Sequence, residues 1–197
     1  MVQRAQQRNP SEVDRDILQA ARQSIMAVGM RNSSIAEIAR NAGVSRPTVY
    51  RRYTDIDALT TAVIHRETLS ILGGLTSMPG NSRQRILARF KIAVSGIVAS
   101  EFFQKIVESD PDRILHLVTQ AKDPEQQLIV DDFILPGIVH GQEDGSIRSG
   151  DPRALANRVF RLMQGSALLF SGVEADGNNA EETMEIIVDV VDRYLRP

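Results

Sequence analysis

The chain has no cysteine, so neither a disulfide framework nor a thiolate metal site is available, and a reducing, cytoplasmic setting is the expectation. It also has no apolar run approaching the roughly 20 residues that cross a bilayer. The first ten residues, MVQRAQQRNP, are polar and basic with no apolar segment behind them, which predicts neither a signal peptide nor a membrane anchor. No stretch shows the period-two alternation of a half-buried strand, no turn dipeptide joins two apolar runs, and no internal repeat is visible. Lysine is scarce, with Lys91, Lys105 and Lys122 against 20 arginines, a bias of composition before it is a clue to chemistry. What remains is helical periodicity.

At 197 residues the chain can bury a sizeable core, as one large or two modest domains. Its formal net charge of −2 conceals an asymmetry. Residues 1–54 carry nine arginines and four acids (Glu12, Asp14, Asp16, Glu37), a net +5, while the remainder carries 14 basic and 21 acidic residues, a net −7. The basic part suits a nucleic-acid partner, and the acidic part argues against nonspecific binding along the rest. The expected division is therefore 1–54 and 55–197.

Apolar spacing and helix punctuation give the order of elements. Pro10-Ser11-Glu12 opens a helix with a stripe of Ile17, Leu18, Ala21, Ile25 and Val28, ended by Gly29. Ser34 and Glu37 make a capping-box arrangement ahead of Ile35 to Asn41, where Ile35, Ile38 and Ala39 share one side. Gly43 suits a helix end, Val44 a plug in the turn, and Ser45 the cap of a second short helix with Pro47 in its first turn. Thr54 or Asp55 caps a connector carrying Leu59, Val63, Ile64, Leu69 and Leu72, up to Gly73-Gly74. A loop from Leu75 to Arg83 precedes two apolar sets of helical period, Ile86 to Val98 and Phe102 to Val107. Asp110-Pro111 and Asp123-Pro124 predict a short helix from Arg113 to Gln120 and a longer one from Pro124 to about Glu143, with a kink or break at Pro136-Gly137. The turn-rich EDGSIRSGDP, a helix from Pro152 to Ser171, a loop from Glu174 to Asn179 and a helix from about Ala180 to Leu195 complete an all-α chain of about nine helices.

The second short helix has an unusual face. Arg46, Thr48, Tyr50, Arg51 and Arg52 crowd about two turns without an acid among them, leaving Val49 and Tyr53 as buried candidates. A solvated helix face normally mixes signs, so an anionic partner is expected. Two short helices joined by a tight turn, the second presenting cationic, hydroxyl and aromatic groups, match a helix-turn-helix whose recognition helix enters the DNA major groove. The competing reading is a helical hairpin with a solvated arginine face. Arg46 and Arg51 or Arg52 can reach guanine O6 and N7 bidentately, and Pro47 and Thr48 can touch a thymine methyl. Tyr50, Ser34, Ser45 and the helix-start N–H groups suit phosphates.

The order IAEIARNAGVSRPTVYRRY resembles the DNA-binding signature of the TetR family of bacterial transcriptional regulators, from the Gly29 turn through Asp57-Ala58-Leu59. The resemblance implies three N-terminal helices for DNA and six or so C-terminal helices for effector binding and dimerisation. It also implies that Pro47, Thr48, Tyr50 and Arg52 face DNA and that Arg46 reads a base. One position departs: where such proteins often carry a phosphate-holding lysine at the start of the fourth helix, this chain has Ile56 between Asp55 and Asp57. Arg51, or Arg4 and Arg8 in the N-terminal arm, are the candidates to compensate.

A recognition helix this short reads few base pairs, so specificity calls for two copies roughly 34 Å apart on a palindrome, and hence a homodimer. The last two helices are the candidate interface, with Gly165, Ser166 and Ala167 permitting close approach. Phe102, Phe103, Phe133, Phe160, Met163 and Phe170, with Gln164 and His116 as polar contacts, are candidates to line an effector pocket for a largely apolar ligand. Enzymatic chemistry finds little support. His65, His116 and His140 form no metal-spaced pair, the adjacent Asp131 and Asp132 diverge on a helix, and GSIRSG lacks the lysine of a phosphate loop. No cofactor or catalytic residue is expected. The reading is a ligand-responsive, homodimeric DNA-binding repressor, and the alternative is a helical carrier or enzyme with a vestigial DNA-binding unit.

Overall fold

The computed structural model describes residues 9–73, 78–112, 114–115, 124–172 and 179–197. Among these the regular structure is entirely helical. Two compact units divide the chain, Met1–Ile64 and His65–Pro197. The division falls inside a helix, ten residues downstream of the point where the charge changes sign. Its physical origin is that Leu59 and Val63, both fully buried, belong to the first unit although the basic composition has already ended.

The first unit begins with α1 (Pro10–Val28), capped by Asn9 in a capping box with Glu12. Its buried stripe is Val13, Ile17, Leu18, Ala20, Ala21, Ser24 and Ile25. Val28, expected in the stripe, is 46% exposed at the end of the helix, and Met30 beyond Gly29 is buried in its stead. The turn there is fixed by polar bonds. Ser24 Oγ donates to Ser33 Oγ (2.9 Å), which donates to the Gly29 carbonyl (2.9 Å). Helix α2 (Ile35–Asn41) is capped by Ser34, whose hydroxyl accepts from Glu37 N–H. It closes at Gly43, φ 65°, through a Schellman pair: Val44 N–H to Ala39 O (3.0 Å) and Gly43 N–H to Arg40 O (3.1 Å). A side chain at 43 would be strained by that φ. Helix α3 (Arg46–Tyr50) follows, and α4 (Ile56–Gly73), capped by the Asp55 carboxylate, which accepts from Ala58 N–H (2.8 Å), runs on into the second unit.

In the second unit α5 (Ser82–Ala99) occupies the middle of the core, with Ile86, Phe90, Ala93 and Val94 buried. Asn81 caps it in a box with Gln84, so the preceding loop stops two residues short of the expected end. Helix α6 (Glu101–Ser109) buries Phe102, Phe103 and Ile106. Most of the short helix expected from Arg113 to Gln120 lies outside the described residues. Helix α7 (Pro124–Ile129) passes into a π-helical turn, Val130–Ile134, and then α8 (Leu135–Glu143). Pro136 has no N–H for the Asp132 carbonyl and its ring crowds that group, so the helix widens before it. The expected interruption thus occupies the turn N-terminal to Pro136-Gly137. Helices α9 (Pro152–Gly172) and α10 (Asn179–Leu195) close the core with Leu155, Val159, Phe160, Met163, Ala167, Met184, Val191 and Leu195.

The loop before α9 is held on three sides. The Asp144 carboxylate accepts from Ser82 N–H (3.1 Å) and Ser146 N–H (2.9 Å), and Ser146 Oγ accepts from Arg83 N–H (3.2 Å). Gln142 donates to the Arg148 and Gly150 carbonyls, and Arg148 N–H donates to Leu195 O. GSIRSG is therefore a packing joint with Ile147 buried, which accounts for its glycines without a phosphate.

Candidate nucleic-acid interface and ligand cavity

The geometry of α3 follows from its caps and one buried residue. Ser45 Oγ accepts from Thr48 N–H (3.3 Å) and lies 2.8 Å from Thr48 Oγ1. Val49 is fully buried and keys the helix to the unit. At 100° per residue Pro47 and Arg51 lie opposite Val49, and Arg46 and Tyr50 share one flank, each pair four residues apart. All four are exposed, and Tyr50 is 55% exposed. Among the described residues, neither the Arg46 nor the Arg51 side chain forms a hydrogen bond or ion pair. Thr48 is half-buried, and Ser34 and Ser45 are exposed at the helix starts.

The regular helix is shorter than expected, five residues, with Arg51 as its cap. Bonds from Arg52 N–H and Tyr53 N–H to Val49 O (2.9 Å each) turn the chain back toward α1. Arg52 goes with it. Its guanidinium donates to the Pro10 carbonyl (3.2 Å) and sits 3.6 Å from Asp14, with the side chain only 19% exposed. Tyr53 joins the same point, its hydroxyl donating to Asp14 Oδ1 (2.8 Å). Among the expected DNA-facing residues, Arg52 is thus the one placed in a structural clasp. Signal for this in the sequence is slight, because its partners lie about forty positions upstream.

At the start of α4, Ile56 is half-buried between Asp55, spent as the cap, and Asp57. Two carboxylates at this helix start repel a phosphate, so the departure noted at Ile56 is matched by its surroundings. Arg4 and Arg8 lie outside the described residues.

In the second unit a cavity of about 290 Å³ is lined by Leu72, Gly73, Ile86, Arg89, Phe90, Ala93, Ile129, Asp132, Phe133, Ile134, Val159 and Met163. Of the expected lining residues it includes Phe133 and Met163. Phe102 and Phe103 are buried against each other edge-to-face at 5.5 Å, and Phe160 is buried in the core. Phe170 packs against that core partly buried. Gln164 donates to Gln126 Oε1 (3.1 Å), and His116 lies outside the described residues. The cavity's two charged residues, Arg89 and Asp132, are among the lining that sequence reasoning missed. A signal existed for Arg89: it interrupts the apolar series Ile86, Phe90, Ala93 at helical spacing.

On the outside of this unit, Leu162 and Leu169 of α9 and Ile186 and Val190 of α10 are exposed, Leu169 by 67%. Of the three small residues proposed for close approach, Ser166 and Ala167 are buried within the unit, and Ser166 donates to Leu162 O (2.7 Å). Gly165 faces open space, where a Cβ would meet nothing within 4 Å.

Residues 17–63 match the family model for bacterial regulatory proteins of the TetR family. The chain is 28% identical over 148 residues to uncharacterised helix-turn-helix transcriptional regulators of Mycobacterium bovis and Mycobacterium tuberculosis, covering 75% of this chain and 76% of theirs. Its fold is similar to that of the TetR-family repressor QsdR of R. erythropolis, with TM-score 0.73, 16% identity and 95% and 96% of the two chains covered. It is also similar to a TetR-family regulator of Pectobacterium atrosepticum (TM-score 0.69, 21% identity, 96% and 98% covered) and to RolR bound to resorcinol (TM-score 0.69, 16% identity, 98% and 91% covered). At such identities these structures establish a shared fold.

Proposed function

The chain belongs, through its N-terminal unit, to the TetR family of bacterial transcriptional regulators, and from that premise we propose that it is a cytoplasmic homodimeric repressor released from a palindromic operator by a small ligand. The observation that carries DNA recognition is the outer face of α3, where Arg46, Pro47, Tyr50 and Arg51 are exposed and neither arginine side chain has a partner among the described residues. Arg46 is the reader of a guanine edge, Arg51 a second base or phosphate contact, and Tyr50 a phosphate contact. Ser34 and Ser45 stand at helix starts that can receive phosphates, and Thr48 supports the thymine-methyl contact of Pro47. Arg52 is better assigned to holding α3 on α1 than to reading bases.

The exposed apolar positions of α9 and α10, with Gly165 open between them, support a dimer formed by these two helices. The cavity supports a mostly apolar ligand seated on Phe133 and Met163. Its binding favours a dimer whose recognition helices no longer match the groove spacing. Selection of bound sequences from a random DNA pool tests this reading: a recovered inverted repeat with half-sites about one helical turn apart is expected. Recovery of unrelated sequences, or none, would remove it.

A further inference from the structure

The cavity of the second unit is apolar except for Arg89 and Asp132. These two do not pair: among the described residues, neither side chain forms a hydrogen bond or ion pair. They differ in what that costs. Asp132 is exposed, so water satisfies its carboxylate. Arg89 is half-buried, and its Nε is withdrawn from water without a hydrogen-bond partner. A buried donor on a charged group left unsatisfied is the costlier deficiency, and a guanidinium is met best by a planar, two-oxygen acceptor. Around Arg89 stand Ile86, Phe90, Ala93, Phe133 and Met163, a wall suited to an alkyl or aryl body. At about 290 Å³ the space is at the small end of ligand sites.

We propose that this cavity takes a small apolar monocarboxylic acid, its carboxylate held by Arg89 and its hydrocarbon body by the apolar wall. This rests on the reading of the cavity as the effector site and replaces "largely apolar" with an amphipathic acid. Asp132 at the exposed side disfavours a second negative charge, which excludes dicarboxylates and phosphate esters as preferred ligands.

The probes are octanoate and phenylbutyrate, each paired with its neutral alcohol, octanol and phenylbutanol, titrated calorimetrically into the full-length protein. Expected for at least one pair is about tenfold or tighter binding of the acid over its alcohol, in the range of a charged hydrogen bond, although the alcohol is the more hydrophobic molecule. Arg89→Met should reverse that order while still binding the alcohol, and Arg89→Lys should keep part of the preference. Equal or weaker binding of both acids, no binding by any probe, or an acid preference surviving in Arg89→Met would overturn the proposal. If Arg89→Met does not fold, the two probe pairs on the unaltered protein decide. DNA binding by the ligand-free protein is measured in parallel. Loss of acid preference with intact DNA binding overturns this site alone, whereas acid binding without effect on DNA affinity leaves the site and removes its regulatory role.

Discussion

In the unit Met1–Ile64, Arg46 and Arg51 stand exposed on α3 with no carboxylate beside them, whereas in His65–Pro197 Arg83 is set against Asp192, Arg153 against Asp131 (2.7 Å), Arg193 against Asp189 (2.7 Å) and Arg196 against Asp192 (2.5 Å). The same residue type therefore does two jobs. Where α5 and α10 meet, arginine is neutralised internally and ties helices together. On α3 it is left to repel its like neighbours, a cost recovered only when an external anion arrives. Within the first unit the distinction is sharp at a single step of sequence: the Arg51 side chain has no partner among the described residues, while Arg52 is clasped by Asp14 and Pro10.

Five substitutions would break or sharpen that comparison. The largest effect is expected where neither unit's charges are involved. Phe90→Ala removes a buried ring from the second core and should lower unfolding free energy by about 3–5 kcal/mol in chemical denaturation. Next, Arg46→Ala should weaken operator binding by roughly 1–3 kcal/mol and relax specificity at one base position, with thermal stability unchanged. Arg83→Ala should do the opposite, costing about 1–3 kcal/mol of stability through its part-buried pairing while operator affinity and base preference stay as they were. Equal effects of the two arginines on both readouts would erase the comparison. Tyr53→Phe deletes the bond to Asp14 and should cost about 1 kcal/mol. If the clasp sets the angle of α3, it weakens all DNA sequences alike.

The smallest effect concerns Asp144. Hydrogen bonds from Ser146 first, and from Ser82, hold its carboxyl well below the ordinary carboxylate range. Because the folded value is depressed, the stabilisation is present at neutral pH, above the unfolded value, and is lost as pH falls through the folded one. Asp144→Asn should therefore melt slightly lower than the unaltered protein at pH 7, and the gap should start to narrow below about pH 4 and close as pH falls through the folded value. A gap that widens on acidification would assign the loop's rigidity to other contacts.

Much of the first unit was legible because its signals are local. Ser34 capping α2, Gly43 in its left-handed turn, Ser45 capping α3 and Pro47 in the first turn all act within four residues. The all-helical class follows from the same short-range spacing of apolar residues. The cavity lining was less legible. An aromatic at helical spacing can face the core or a cavity, and the fold put Phe102, Phe103 and Phe160 in the former and Phe133 in the latter. Likewise, small residues at 165–167 read alike in one dimension, yet helix rotation left only Gly165 facing outward.

The sequence by itself determined the helices, their caps, the charge division and the uniform sign of α3, since each depends on residues within a turn or two. Tertiary structure decided which arginine is free and which is clasped. It also decided that the boundary between units falls inside α4 and that Arg89 is stranded beside a cavity. These rest on partners tens of residues away, and whether a charge meets a carboxylate, water or nothing is settled only when distant helices pack.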